Sequence, residues 1–544
     1  MSVYISIYNM LCHQSRSRSF SDMLITMESS FFLSSLFSSP FAILLTTLVT
    51  IGVLRAISYL YYKNTYWKKR GVPYIRMIPA MEMSWKMFLR RITVIEFSQF
   101  IHNYMPDAKY IGHMDMGTPT VFLHDPELIR DVMVKDFDYF PDHRIGSEEI
   151  DPLFSKNVFA LRGNRWKKMR NTLSPSFTAS KMKAMFELIS KCSREFVEYL
   201  ADHPELCSSI DTKEAFRRYT TDVIATSAFG ISVNSMKDRD NEFFIKGIEA
   251  TQFGNFKSML KFMLFRAFPR LGKMLGISLF RPAMSQFFKN IVAETIRVRK
   301  EQGIVRPDMI HLLMQAQDKE NPSVHEMTLD DIVAQAFIFF FAGFETSSTL
   351  MCFIAHELAV HQDIQERLWE EVEKHFVEDN GEITYETLSK MAYMDMVVSE
   401  ALRKYPPMTF IDRLCVKKYE LPPAKAGYKS VVVEPDCAMM VSAYSLHHDP
   451  KYFPNPSKFD PERFSDENKD NIVPYTYVPF GLGPRKCIGN RFALMETKLL
   501  VAHLLQKFVF KTTEKTVEPV VFDKEQFFLQ PDGGFWLALE KRQK

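Results

Sequence analysis

Apolar side chains recur at helical spacing along most of this chain. The period holds over residues 180–200, 280–302, 328–376 and 488–508, which predicts long helices there. Pieces of strand character are short: 120–123, 430–433, 438–442 and 535–539. No strand–helix–strand alternation, repeat or low-complexity tract follows Gly71-Val72-Pro73. The pattern predicts one large, mainly α domain with small β-sheets.

The helix starting near Thr328 carries the most information. Thr328 and Asp331 have capping-box spacing. From 336 to 344 (AFIFFFAGF) the sequence is apolar on every face, as in a helix that runs through a protein's centre. Gly343 sits inside it, at a cost of about 1 kcal/mol relative to Ala. Glu345 and Thr346 follow, an acid and an alcohol at core depth. Helix crossing accounts for a glycine, and a back-bond to the helix accounts for a threonine. A buried carboxylate still needs a partner or a purpose.

Residues 31–54 carry no charge. As a helix they span about 36 Å, enough for a bilayer core of about 30 Å. Tyr59, Tyr61, Tyr62, Tyr66 and Trp67 supply an interfacial belt, and Arg55 can snorkel. Lys63, Lys68, Lys69 and Arg70 put the remaining chain on the cytoplasmic side. Bulky residues follow the apolar run, so it reads as a retained anchor and not a cleaved signal. The expected organisation is a leader at 1–30, an anchor at 31–60, a basic, proline-containing hinge at 61–75 and the main domain at 76–544. A start at Met27 suits the charge pattern better than Met1, because Arg16 and Arg18 weaken the asymmetry.

Composition narrows the function classes. The 544 residues are 46% hydrophobic and 24% charged, which excludes a disordered chain, a fibre and a polytopic membrane protein. A net charge of +3 argues against nucleic acid, whose binding rests on phosphate neutralisation. The 47 Phe and 31 Met suit a broad apolar interior or a lipophilic pocket. Seven cysteines without a C-x-x-C fit neither a disulfide framework nor a structural zinc site.

One cysteine has special surroundings. In Pro479-Phe-Gly-Leu-Gly-Pro-Arg-Lys-Cys-Ile-Gly-Asn-Arg-Phe-Ala493, a loop rich in glycine and proline delivers Cys487 to the start of a helical run. Helix-terminal amides and a cation such as Arg485 stabilise a thiolate, a soft metal ligand. The Gly481-x-Gly483 pair lacks the third glycine and the βαβ setting of a nucleotide loop.

The spacing Phe480-x-x-Gly483-x-Arg485-x-Cys487-x-Gly489 resembles the haem-binding loop of cytochromes P450. Four more motifs appear in that family's order. They are Trp166-x-x-x-Arg170, Ala342-Gly-Phe-Glu-Thr-Ser347, Glu400-Ala-Leu-Arg403 and Phe459-Asp-Pro-Glu-Arg463-Phe. The resemblance covers about residues 30–540. Phe137-Asp-Tyr-Phe140, Leu173-Ser-Pro-Ser-Phe177 and His448-Asp-Pro-Lys-Tyr-Phe-Pro-Asn-Pro456 are similar to insect microsomal members of the detoxification-rich third clan.

The resemblance implies the P450 fold with one N-terminal anchor helix, a haem b cofactor and monooxygenation of a lipophilic small molecule. It implies Cys487 as the iron ligand. Phe480 and Gly489 stand beside the haem, and Arg485, Arg170, Trp166 and Arg413 hold its propionates. Glu400, Arg403 and Arg463 form a buried structural network. Gly343 opens the helix for oxygen, and Thr346 with Glu345 behind it relays protons. Ile338, Phe341, Ala342, Thr409, Phe410 and Phe528 face the substrate, with Met408, Ile411, Phe527 and Leu529 along the same walls. The 142–160 and 250–285 stretches form the pocket's roof. Electrons come from NADPH through cytochrome P450 reductase, aided by cytochrome b5, at the endoplasmic reticulum membrane. Lys167, Lys168, Lys486 and Arg491 offer that partner a basic face.

Rival readings separate on particular residues. His356-Glu-Leu-Ala-Val-His361 suggests a zinc peptidase, but its histidines are five apart. On a helix they diverge by about 140°, too far to share one zinc. A non-catalytic haem binder needs the cysteine loop without the acid–alcohol pair. Isomerase or dehydratase members of the family depart from the oxygen-activation motif, and this chain keeps it.

Overall fold

A computed structural model describes residues 40–144, 152–251, 280–306, 308–319, 327–526 and 528–543, with isolated positions between 252 and 279. The expected leader and the first part of the expected anchor lie outside the described residues. So do 145–151 and most of 252–279 in the expected roof, and Phe527.

The principal helices are α1 (Pro40–Lys69), α2 (Gly163–Leu173), α3 (Ala179–Asp202), α4 (Thr212–Ile224), α5 (Pro282–Gln302), α6 (Leu329–Val360), α7 (Gln362–Glu378), α8 (Ala392–Lys404) and α9 (Asn490–Lys507). Nine short strands accompany them among the described residues: β1 (Tyr110–Asp115), β2 (Thr118–Leu123), β3 (Ile210–Asp211), β4 (Phe410–Leu414), β5 (Tyr419–Leu421), β6 (Val431–Val433), β7 (Ala438–Ser442), β8 (Phe508–Thr512) and β9 (Trp536–Lys541). They form a four-stranded sheet in the order β1-β2-β7-β4, a three-stranded sheet β3-β9-β8 and the pair β5-β6. In the largest sheet only β2 and β7 run parallel.

The chain divides into two units, one ending at Tyr66 and one running from Trp67. The second unit therefore begins inside the stretch expected as a hinge. Trp67 is buried, and its indole N–H donates to the His113 carbonyl at 2.9 Å. Gly112 leaves room for that ring, since a Cβ there would lie 2.6 Å from it. Among the described residues, two helices are long and apolar enough to cross a membrane, 43–69 of α1 and all of α6. The first has no buried share, whereas 72% of the apolar stretch of α6 is buried inside the protein, so packing accounts for α6.

Local rules set the ends of α6. Thr328 accepts from the Asp331 N–H and Asp331 accepts from the Thr328 N–H, the full capping box. The helical pattern expected from 328 to 376 is broken at His361, whose backbone leaves the helical region (φ −104°, ψ 82°) between α6 and α7. The strands that the sequence pattern overlooked, β1, β3, β4, β5 and β8, carry no clean alternation. β8 in particular continues the apolar run of α9.

Two apolar clusters make the core, and α6 threads both. Its residues 332–344 pack with α5, and its residues 350–359 pack with α3, α8 and α9. Between them lies Glu345-Thr-Ser-Ser-Thr349, so the longest polar stretch of α6 falls at the junction of the clusters. On α9, Glu496 is fully buried. Its carboxyl has no hydrogen bond meeting normal geometry among the described residues, although the Ser347 hydroxyl is close enough to favour its charged form. Burial dominates and pushes its pKa up to about 8.

That shift has a definite sign. The folded state holds this proton up to about pH 8, while an unfolded Glu releases it near 4.5, so its contribution to stability falls as pH rises between those values. Glu496→Gln is expected to flatten the decline of melting temperature across that window. Thermal melts of both proteins at several pH values check it.

Candidate haem-thiolate site

The cysteine loop is shaped by close backbone approach. Gly481 and Gly483 both adopt left-handed backbone, φ +72° and +68°. A Cβ on Gly483 would lie 2.0 Å from the Met133 carbonyl oxygen. Met133 belongs to a single π-turn (Asp131–Lys135) that presses into the loop. The Cys487 N–H donates to the Phe480 carbonyl at 2.8 Å, closing the loop on itself. Burial pushes the Cys487 thiol up, while the Gly489 N–H and the Arg170 charge favour the thiolate. Despite this depth the Cys487 side chain is exposed. A group both deep and accessible lines an internal space.

The same signature marks α6. Within its buried middle, Phe339, Phe341, Ala342, Gly343 and Thr346 keep accessible surface, four of them at i, i+3, i+4 and i+7. Phe177 joins the two walls at one edge. Its ring lies 5.6 Å from that of Phe339, and 3.9 Å from where a Cβ of Gly489 would sit.

Glu345, expected behind Thr346 in a proton relay, is held in an ion-pair cluster. It is buried on the α4 side, where Arg217 donates from both Nε and a terminal nitrogen at 2.9 Å and the Lys213 Nζ lies at 2.9 Å. Burial alone would raise its pKa, but the two cations outweigh it and hold the carboxyl below its usual range. Adjacent helical residues diverge by about 100°, so Thr346 on the open face sends Glu345 elsewhere. The Thr346 hydroxyl donates to the Ala342 carbonyl at 2.7 Å. Gly343, expected to open the helix for oxygen, keeps accessible surface and also has a packing neighbour on α4. A Cβ there would lie 2.8 Å from Ile224 of α4, and Thr220 of α4 donates to the next carbonyl, Phe344, at 3.1 Å.

The guanidiniums also divide. Arg485 was expected at a propionate, yet it donates to the carbonyls of Pro141, Val158, Phe159 and Leu161 and to the Asp142 carboxylate. It stacks on Trp166 at 4.0 Å and ties the 141–142 and 158–161 segments to the cysteine loop. Arg413 is buried with its Nε lacking an acceptor among the described residues. Arg170 donates one N–H to the Lys486 carbonyl at 2.8 Å.

Glu400 and Arg403 are fully buried and paired twice, at 2.7 and 2.8 Å. Arg463 lies 3.4 Å from Glu400, and the Asp460 N–H donates to the same carboxylate at 2.9 Å. Among the expected pocket residues, Ala342 is exposed and Phe341 and Phe528 are half-buried, whereas Ile338 and Thr409 are buried. Phe410 departs from the expectation. It packs in the apolar cluster of the large sheet against Phe97 and Phe122, because its strand β4 pairs with β7 there.

Lys213, Arg217, His447 and Glu496 were absent from the sequence reading. Only Glu496 left a signal, a carboxylate in the apolar run of α9. The others are set by contacts between distant segments.

A mainly helical fold with an accessible sulfur at depth and an open stripe on its core helix fits a protein built around an enclosed prosthetic group. The family model for Cytochrome P450 matches residues 88–538, and the chain belongs to that family. It is 46% identical to cytochrome P450 9e2 of Blattella germanica over 522 residues, 90% of this chain and 97% of that protein. It is 42% identical to probable cytochrome P450 9f2 of Drosophila melanogaster (88% and 95%), and 35% identical to cytochrome P450 6k1 of Blattella germanica (91% and 97%). The protein is an insect P450, a monooxygenase with haem b as cofactor. The residues present fit that group, with a deep accessible sulfur and a buried guanidinium N–H in want of an acceptor.

The two loop glycines are predicted to differ. Gly481→Ala costs the left-handed backbone penalty of about 1–2 kcal/mol. Gly483→Ala adds a backbone clash worth about 1–3 kcal/mol more. Haem content and melting temperature of the two purified variants measure the difference.

Proposed function

We propose that this protein oxidises a lipophilic small molecule, a xenobiotic or an endogenous lipid, with electrons from NADPH delivered by cytochrome P450 reductase and aided by cytochrome b5. Helix α1 anchors it in the endoplasmic reticulum membrane, with residues 76–544 as the catalytic domain on the cytoplasmic side. The observation that carries the reading is the Cys487 sulfur, deep in the protein yet accessible, together with the open stripe of α6.

Each residue then has a task. Cys487 supplies the thiolate ligand, and Arg170 and the Gly489 N–H stabilise its charge. Phe480 closes the loop around it through its carbonyl. Arg413 and Arg170 have N–H groups to give the propionates, Trp166 backs Arg485, and Arg485 holds the wall. Glu400, Arg403 and Arg463 keep the loop's support rigid, and losing one member costs about 3–5 kcal/mol because a buried charge is left uncompensated. Bound haem supplies oxygen activation, with the thiolate's electron donation favouring O–O cleavage. The Thr346 hydroxyl lies on the open face, where it would hold or pass a proton beside the haem site. Glu345, clamped by Lys213 and Arg217, keeps a fixed negative charge behind it. Ala342 and Phe341 contact substrate. Lys167, Lys168, Lys486 and Arg491 meet the acidic reductase, an attraction that salt weakens.

Two measurements test this. The reduced carbon monoxide complex is expected to give the thiolate-type Soret band, and Cys487→Ser is expected to abolish it; a band unchanged by that substitution removes Cys487 as ligand. Thr346→Ala is expected to lower product formed per NADPH about tenfold or more, with peroxide released instead, since positioned proton transfer contributes about 10²–10⁴. Stoichiometry of NADPH, product and peroxide reads it directly.

A further inference from the structure

The buried pair Glu400–Arg403 and the cysteine loop lie far apart in sequence, and one side chain bonds to both of their neighbourhoods. His447 ends the short helix Ala443–His447 that follows β7. It is fully buried. Its Nδ1 lies 3.1 Å from the Arg403 carbonyl oxygen, which can only accept, so Nδ1 carries the proton. Its Nε2 accepts from the Val478 N–H at 2.9 Å. Its own carbonyl accepts from an Arg403 terminal nitrogen at 3.0 Å.

A neutral imidazole in this one tautomer satisfies all of these bonds; a proton on Nε2 would face an N–H. Burial, with the neighbouring His448 and Arg403, pushes the His447 pKa down to about 3, which keeps that form. Tyr477 flanks the ring, 5.5 Å between centroids. From Val478 the hydrogen bonds continue into the loop. The Val478 carbonyl accepts from the Gly481 N–H at 3.0 Å, and the Phe480 carbonyl accepts from the Cys487 N–H at 2.8 Å.

We propose that His447 is a positioning residue for the iron ligand: through Val478 it transmits the fixed placement of the Glu400–Arg403 pair to the loop that holds Cys487. The inference rests on the reading of Cys487 as that ligand. It gives the Glu–Arg pair a physical route to the sulfur, and it makes the bond to Val478, more than the bulk of the ring, the part that matters.

Amide side chains separate the two ring nitrogens. Gln reaches the Nε2 position with an acceptor oxygen and loses the bond to Arg403. Asn reaches the Nδ1 position with a donor nitrogen and leaves the Val478 N–H unsatisfied. The probe is carbon monoxide on the reduced, haem-loaded full-length chain, with the haem reduction potential and the melting temperature measured alongside. His447→Asn is expected to raise the ratio of thiolate-lost to thiolate-ligated haem about fivefold to a hundredfold, the consequence of one unsatisfied buried N–H, and to shift the potential upward. His447→Gln is expected to stay near the parent protein in both. Parent-like spectra and potentials in both variants overturn the proposal. So does equal loss of the thiolate signature in both with matching falls in melting temperature, which marks the ring as packing alone. If His447→Asn takes up no haem, amide hydrogen exchange decides. Faster exchange confined to 476–487 supports the proposal, and exchange that is unchanged or raised throughout overturns it. A parent protein lacking the thiolate signature refutes the reading of Cys487 itself, before any variant is compared.

Discussion

A sulfur atom serving as a metal ligand here must sit deep in protein while one side of it stays open. The backbone around Cys487 meets that demand by close approach. Gly483 takes a left-handed conformation because the Met133 carbonyl occupies the place of a side chain. The loop's own amides fold back, with the Cys487 N–H on the Phe480 carbonyl. Little of this geometry depends on side-chain packing. It depends on two backbone segments meeting where only glycine fits, and the π-turn that carries Met133 gives the second segment its shape.

The opposite wall is built on the contrary plan. α6 is held by packing along most of its length, and its longest polar run falls where the two apolar clusters meet. There the helix carries a charge cluster on one side and an open stripe on the other. Glu345, Lys213 and Arg217 sit in a medium where unpaired charge is costly, so each fixes the others. The hydroxyls of Thr346, Ser348 and Thr349 bond to carbonyls of their own helix. The open face thus presents aromatic, small or back-bonded groups and no charged side chain among its described residues, which suits a lipophilic guest.

Much of the fold was legible along the chain because its signals are local. Helical periodicity located α3, α5 and α9 to within a few residues, and the capping box fixed the start of α6. The break at His361 was not legible, since apolar spacing continues across it. β4 and β8 were missed because edge pairing and sheet position, not alternation, make them strands.

The sequence by itself determined the chemistry at hand: a cysteine in a glycine-bound loop, a buried acid–arginine pair, and an acid beside an alcohol in the most apolar helix. Those depend on residue identity and short spacing. Tertiary structure alone decided where each group points. Neighbours on a helix diverge by about 100°, so only packing against α4 turned Glu345 to the cations and left Thr346 to the cavity. Likewise, Arg485 and Arg413 read alike, from the resemblance, as propionate partners. Which of them keeps an N–H in want of an acceptor follows from carbonyls contributed by segments hundreds of residues away.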